Sequence, residues 1–397
     1  MATLVFPDFF GGAERFIHGV ARAQAAAGHD VTVLAGDAGG HPAQEHREGF
    51  TLLRYPLKPV RGLRFYRHVH QQVTGALRAL ASQKFDILHA HQIASAVPAL
   101  EARFAAHRVL SFHAAYKLEF EAERLDGAPS GEEHKLGLGD RLKSLAIGML
   151  DRRCLSCAER VIVHTRFVRE QAEAVLPAVR DRVRIIPAGL DFERFSPGDA
   201  QPGRQRLGIG QDTYLVVAVR RLVRRMGLDI LIQAAAKLAD RGLEFKVAIG
   251  GRGKERAALE SLKNELGLGH RVLFLDRVPD DQLPDLLRAA DLVVVPSRSM
   301  EGFGMSTIEG LACGAPVVST DNGASPEILG PVGLELLVPA DADALADRLE
   351  ALLRDPTRRL ELAARGVESV RARYGWSTIV TGLDEVYREL VDVHARS

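Results

Sequence analysis

Short apolar runs rich in Val, Ile and Leu alternate along this chain with longer stretches whose apolar residues recur at helical spacing. In the first half the runs predict strands at Leu4–Phe6, Val31–Ala35, Asp86–His89, Arg108–Phe112, Val161–His164 and Val183–Pro187. In the second half they predict strands at Tyr214–Val219, Phe245–Ile249, Val272–Leu275, Leu292–Pro296 and Pro316–Ser319. Helical spacing runs over 13–27, 64–82, 228–240, 254–266 and 341–354. Strands that are apolar on both faces and separated by helices are the pattern of parallel sheets covered on both sides, so the predicted class is α/β. Between the two sets, Asp191–Asp212 carries Pro197, Gly198, Pro202, Gly203, Gly208 and Gly210 without helical period, and reads as a linker. It separates a first domain, 1–190, from a second, 213–375, followed by a last helix within 376–397. Residues 37–62 and 117–140 show no clear period and read as loops.

Composition narrows the class. The 397 residues are 46% hydrophobic and 26% charged, which is ordinary globular usage and excludes a disordered chain. With 52 basic and 51 acidic side chains the net charge is +1, which argues against a dedicated nucleic-acid binder. Split at the linker, residues 1–190 hold 25 basic and 20 acidic side chains and the remainder 27 and 31, so the first half is basic and the second acidic. Three cysteines, Cys154, Cys157 and Cys313, do not make a disulfide scaffold, and a reducing cytoplasm is expected. Asp8, Glu14 and Arg15 interrupt the first twenty residues, so no signal-peptide core is expected there. No apolar run reaches the ~20 residues of a membrane span. Residues 58–84 interleave Lys58, Arg61, Arg64, Arg67, Arg78 and Lys84 with Leu63, Phe65, Tyr66 and Val69. Such a segment is either a solvated helix face or a peripheral contact with an anionic membrane surface.

The segment richest in chemistry is 296–327, PSRSMEGFGMSTIEGLACGAPVVSTDNGASPE. A strand ends at Pro296, a loop with Gly302 and Gly304 follows, and a helix begins near Gly304. Ligands of open parallel sheets bind at the carboxyl ends of the strands. Glycines let a backbone approach a ligand closely, and a helix start offers unpaired amides to an anion. Glu301 in the loop and Glu309 in the helix add hydrogen-bond acceptors for hydroxyl groups. The implied ligand carries both phosphate and hydroxyls, as a nucleotide sugar does.

This segment resembles the E-x7-E region of retaining glycosyltransferase family 4, and FPDFFGGAERF, FDILHAH, SFHA, RIIPAGLDFERFSP, VRRLVRRMGLDILIQA, KVAIGGRGKER and RVLFLDRVPDDQLPDLLRAADLVVVPS extend the likeness along the chain. The resemblance implies a GT-B architecture, with two Rossmann-like domains facing across a cleft. The first would take the acceptor and the second the nucleotide-sugar donor, and the last helix, roughly Trp376–Val391, would return to the first domain. By the same resemblance Glu309 would hold ribose hydroxyls and Glu301 the transferred sugar. Arg221 would grip the diphosphate, and Gly12 would approach it from the first domain. Gly250, Gly251 and Gly253 would let the donor pack close. Phe303, Gly304 and Met305 would offer backbone amides, Arg277 and Val278 would run along the nucleobase, and His113 would face acceptor and donor sugar. Three departures stand out: Arg220 where Gly is common, Met226 where Lys is common, and Asp276 where Gly is common. Met226 carries no charge, which leaves Arg224 or Arg225 to share the diphosphate with Arg221. No Asp-x-Asp pair adjoins these motifs, so neither a metal nor a cofactor is expected.

The expected activity is metal-independent, same-face transfer of a sugar to a hydroxyl acceptor: a glycan, a lipid-linked sugar or a metabolite. The alternatives are a nucleotide-sugar epimerase of the same architecture, a phosphorylase-like enzyme, and a non-catalytic nucleotide-sugar binder. Cys154 and Cys157 form an isolated C-x-x-C inside a predicted helix and read as packing residues; Cys313 reads the same way. His89 and His91 close a strand and read either as cleft residues or as packing and polar support.

Overall fold

The computed structural model of the chain describes residues 1–5, 12–125 and 136–395. It forms two compact units. The first comprises Met1–Glu121, Lys135–Gly189 and Trp376–Ser397; the second is Leu190–Gly375 with a short segment beginning at Ala122.

The first unit is built on a sheet of β1 (Ala2–Val5), β2 (Thr32–Asp37), β3 (Gln44–Arg47), β4 (Phe50–Pro56), β5 (Ile87–His91), β6 (His107–Ser111), β7 (Arg160–Val163) and β8 (Val183–Ile185). Their order is β3-β4-β2-β1-β5-β6-β7-β8. All neighbours are parallel except β3, which runs antiparallel to β4. Regular elements lie in both stretches where a loop is expected. Within 37–62, β4 pairs with β2 over Thr32–Asp37 and Thr51–Pro56, and β3 covers the outer edge. β3 is wholly polar and β4 is interrupted by Thr51 and Arg54, so neither shows the apolar run of a central strand. Such polarity suits an edge. Within 117–140, Tyr116–Leu125 is a helix and a second begins at Leu138, while 126–135 lie outside the described residues. The first of these helices buries no residue fully, which removes its sequence signal. Its start is held by buried Asp151, whose carboxylate accepts from the amides of Tyr116 (3.3 Å) and Lys117 (3.0 Å). The expected strand end Phe6 and the glycine Gly11 also lie outside the described residues.

The basic segment forms the helix Leu63–Ala79, with Val69, Val73 and Leu77 buried and Phe65 and Tyr66 packed against the core. Most of its apolar side packs into the protein interior, while Leu63 is exposed. No helix among the described residues is long and apolar enough to cross a membrane. Cys154 and Cys157 end the helix Leu138–Cys157 as free thiols, and burial raises the Cys154 thiol well above its usual range.

The second unit has β9 (Tyr214–Val219), β10 (Phe245–Gly250), β11 (Val272–Phe274), β12 (Leu292–Val295), β13 (Val317–Thr320) and β14 (Leu337–Val338). The order is β11-β10-β9-β12-β13-β14, parallel throughout. This is the dinucleotide-fold succession, whose order reverses between its first and fourth strands, here β9 and β12. All four residues of β12 are buried, as a strand covered on both faces requires. Residues 191–212 belong to this unit. They contain the helix Gln201–Leu207, bury Phe195 and Ile209 in the core, and tie Arg204 to Asp291 at 2.8 Å. The glycines and prolines that read as a linker sit at the ends of this helix and in its first turn, where they do not interrupt it.

The last helix, Trp376–Ala395, packs with the first unit. Trp376 lies between two glycines: a Cβ on Gly19 would stand 1.9 Å from its indole, and one on Gly189 2.5 Å. Because Trp376 is the sole tryptophan, its fluorescence reports this contact alone. Gly19→Val is expected to displace the indole, shift its emission to the red and destabilise the protein by about 1–3 kcal/mol through overpacking. Unchanged emission and unchanged urea midpoint would contradict the packing described here.

Candidate functional site

The loops that follow β9 and β12 meet at the reversal of strand order in the second unit. The first, from Arg220 onward, runs beside the loop after β10. The amide of Arg220 donates to Gly250 O (2.8 Å) and that of Leu222 to Arg252 O (2.9 Å). A Cβ on Gly251, whose φ is +140°, would lie 1.8 Å from Arg220 O, and one on Gly253 would lie 2.1 Å from Leu222 O. These glycines are thus required by the protein's own backbone. Gly250 adds room for Val278, whose methyl would stand 2.5 Å from a Cβ there. Asp276, where Gly is common, takes φ +53°, a conformation that Asp tolerates better than most residues.

The loop after β12 carries Glu301, 8% exposed. Its backbone is pinned by the Gly323 turn: Ala324 N donates to Glu301 O (2.8 Å), and a Cβ on Gly323 would lie 2.3 Å from that oxygen. Glu301 Oε2 accepts from Arg220 Nη2 at 2.5 Å and from Ser297 Oγ at 2.7 Å. Burial pushes this carboxyl up; the Arg220 charge, the two hydrogen bonds and the nearby Arg225 charge outweigh it and hold Glu301 below its usual range. Arg220 Nη2 also lies 3.0 Å from Met226 Sδ, and its Nη1 is buried without a partner among the described residues. Arg225 is buried too and reaches Met300 O at 3.4 Å. The expected diphosphate arginine, Arg221, has a side chain 57% exposed, whereas that of Arg220 is 6% exposed.

Gly304, at φ +85°, opens the helix Met305–Ala312; its carbonyl accepts from the amides of Thr307 (2.9 Å) and Ile308 (3.2 Å), and the start of a helix offers amides to an anion. Glu309 lies in that helix and is 4% exposed. Phe303 and Met305 pack against the core, Phe303 edge-on to Tyr374 at 5.7 Å, so what they offer a ligand is backbone. Arg277 is exposed and Val278 half-buried, both just past β11.

In the first unit, β5, β6 and β7 carry four histidines at or just past their carboxyl ends around Phe16. Phe16 lies 4.5 Å from His164, 5.8 Å from His113 and 6.0 Å from His91, ring centre to ring centre, and His89 lies 4.3 Å from His91. Gly12 opens the helix Gly12–Ala26 that brings Phe16 here. The protons can be assigned by exclusion. Ile186 O only accepts, so His164 Nδ1, 2.9 Å away, carries a proton. Neutral His164 then accepts at Nε2 from His113 Nδ1, 3.1 Å away. Neutral His113 is left with a lone pair on Nε2, which has no partner among the described residues. Burial holds all four imidazoles below the usual range, His89 at about 3 and His164 at about 4. His89 is fully engaged, with Tyr387 Oη at 2.7 Å and Ser111 Oγ at 2.8 Å. Among the described residues no group of three or more His, Cys, Asp or Glu is arranged to hold a metal ion.

The second unit thus carries Glu301, Arg225, Gly250 and Gly251 with Gly304 and Glu309 on three loops and one helix. Sequence reasoning missed Ser297 and the use of Arg220 and His164. Arg220 did leave a signal, as a charged residue where glycine is common.

Two family profiles cover most of the chain: "Glycosyltransferase Family 4" over residues 10–194 and "Glycosyl transferases group 1" over 199–369. A D-inositol 3-phosphate glycosyltransferase from Frankia alni is 33% identical over 327 residues, 79% of this chain and 77% of that one. D-inositol 3-phosphate glycosyltransferase 1 from Catenulispora acidiphila is 35% identical over 248 residues, 60% of this chain but only 59% of the relative. Among solved structures, sucrose-phosphate synthase from Thermosynechococcus elongatus superposes with a TM-score of 0.80 at 25% identity, covering 96% of this chain and 94% of that one. Anabaena HepE in complex with UDP-glucose gives 0.74 at 20% identity, covering 98% and 99%.

The histidine group makes stability depend on pH. Folded pKa values lie below the unfolded value of about 6.5, so the unfolded chain binds more protons between the two. The stabilisation is complete above about pH 6.5. It is lost as pH falls toward about 4 for His164 and about 3 for His89, at up to about 1.4 kcal/mol per pH unit for each histidine. Thermal unfolding between pH 7 and 4.5 is expected to show this slope, and His164→Gln to reduce it by about one proton. An equal slope in the variant would remove His164 from the effect.

Proposed function

The chain belongs to the family 4 glycosyltransferases, and from that premise we propose that it is a retaining, metal-independent hexosyltransferase. It moves a sugar from a nucleotide-diphosphate sugar to a hydroxyl acceptor. The observation that carries this reading is the buried Glu301, held by Arg220 and Ser297, next to the helix start at Gly304 and buried Glu309, all at the reversal of strand order. The second unit takes the donor and the first the acceptor.

Cleaving the bond between sugar and phosphate builds negative charge on the departing diphosphate. Preorganised cations and amides facing that charge lower the barrier, one such donor contributing about 3–4 kcal/mol. The cationic loop after β9 and the first turn of Met305–Ala312 supply them. The acceptor hydroxyl attacks the face from which the diphosphate leaves, and a phosphate oxygen takes its proton. Glu301, its Oε2 held by Arg220 and Ser297, positions hydroxyls of the sugar and forms no covalent adduct with it. His113 Nε2 receives a hydrogen bond from a substrate hydroxyl. The names of the relatives point to a small phosphorylated polyol as the first acceptor to test, and the basic first half suits it. The nucleotide in the HepE complex points to uridine donors first. A cytoplasmic setting fits the three free cysteines.

Incubation with UDP-, GDP- and ADP-sugars and D-inositol 3-phosphate or other hydroxyl acceptors, read by mass spectrometry and NMR, is expected to give a transferred sugar of retained anomeric configuration. An epimerised donor without transfer would favour the epimerase instead. Glu309→Ala is expected to raise donor KM tenfold or more, about 1.4 kcal/mol. Activity is expected to survive EDTA; strict dependence on added Mg²⁺ or Mn²⁺ would overturn the metal-independent part.

A further inference from the structure

The charge pattern of the loop after β9 differs from what the family resemblance leads one to expect, and the geometry explains the difference. Position 226 holds Met, 7% exposed, in place of a cation. The guanidinium of Arg220 reaches its sulfur at 3.0 Å. The backbone of Arg220 is held in place. Its amide is bonded to Gly250 O, and the Gly251 backbone lies against its carbonyl. One end of the fork, Nη2, holds Glu301 Oε2. The other, Nη1, is buried and has no partner among the described residues. A buried guanidinium nitrogen left unpaired is costly unless a ligand completes it. Arg221, by contrast, has a side chain more than half exposed and lies 3.9 Å from the carboxylate of Glu123.

We propose that Arg220 is the diphosphate-binding cation of this enzyme. Nη1 takes an anionic oxygen of the donor diphosphate while Nη2 keeps Glu301 in place for the sugar. The charge lost at Met226 is thereby returned from position 220. A planar fork can serve both partners at once, which a point-charge ammonium does less well. Arg220 thus couples recognition of the leaving group to placement of the sugar-binding carboxylate. This inference rests on the glycosyltransferase reading above.

The test is calorimetric binding of UDP, GDP and ADP and the matching monophosphates to the full chain and three variants. The readout is the preference for diphosphate over monophosphate, which a merely structural role for Arg220 would leave unchanged. Arg220→Gly is expected to lower that preference at least tenfold. Arg220→Gly with Met226→Lys is expected to recover most of it, because the cation re-enters from the neighbouring position. Arg221→Ala is expected to lower it less than Arg220→Gly does. Thermal melts establish that each variant is folded, and the rescue by the double variant answers the case in which Arg220→Gly is unstable. An unchanged preference in folded Arg220→Gly, a larger loss in Arg221→Ala, or no rescue would overturn the role of Arg220. Absence of binding of every nucleoside diphosphate to the unaltered protein would overturn the glycosyltransferase reading and this inference together.

Discussion

Two chain segments pressed together at the carboxyl edge of the second sheet set the position of everything the candidate site uses. Arg220–Leu222 and Gly250–Gly253 pass so closely that a single added carbon on Gly251 would fall within bonding distance of a carbonyl. Backbone contact of this kind fixes the point from which the side chain of Arg220 departs. Its guanidinium then pairs with Glu301, and the Gly323 turn holds the same residue from behind. The two loops of the candidate site are thus tied to each other by main-chain and side-chain contacts.

A buried ion pair is weak evidence for stability, because desolvation offsets most of the Coulomb gain. The pair between Arg220 and Glu301 is better understood as a device of position. Ser297 completes the carboxylate, and Ser297 is itself held by Thr320, which donates to its carbonyl at 2.5 Å. Oε2 of the acid is engaged twice, whereas Nη1 of the base is buried without a partner among the described residues.

Most of the architecture was legible in the sequence, because the central strands of both sheets are buried on both faces and have to be apolar. The elements that escaped are those under no such constraint. β3 is polar because it lies at an edge, and Tyr116–Leu125 buries nothing fully. Gln201–Leu207 was hidden by glycines and prolines that cap and flank it. Glu301 and Glu309 were legible because their spacing across the EGFG loop is distinctive. The burial of Arg220 beside Glu301 was not, because the sequence does not say which of two adjacent arginines turns inward. Nor was the pairing of His164 with His113, which joins residues 51 positions apart through neighbouring strands.

Trp376 bears on the order in which the chain can fold. Nearly all of the second unit is one continuous stretch, Leu190–Gly375, whereas the first is closed by residues at the far end of the sequence. During synthesis the sheet of the first unit emerges early, yet its slot between Gly19 and Gly189 stays empty, and His89 lacks Tyr387, until the last twenty or so residues arrive. Domains generally fold as units, N-terminal first, as the chain is made. Here the nascent first unit has to wait, exposing an unfilled apolar slot while the second completes itself. Loss of the helix Trp376–Ala395 would accordingly injure the half of the molecule that was made first.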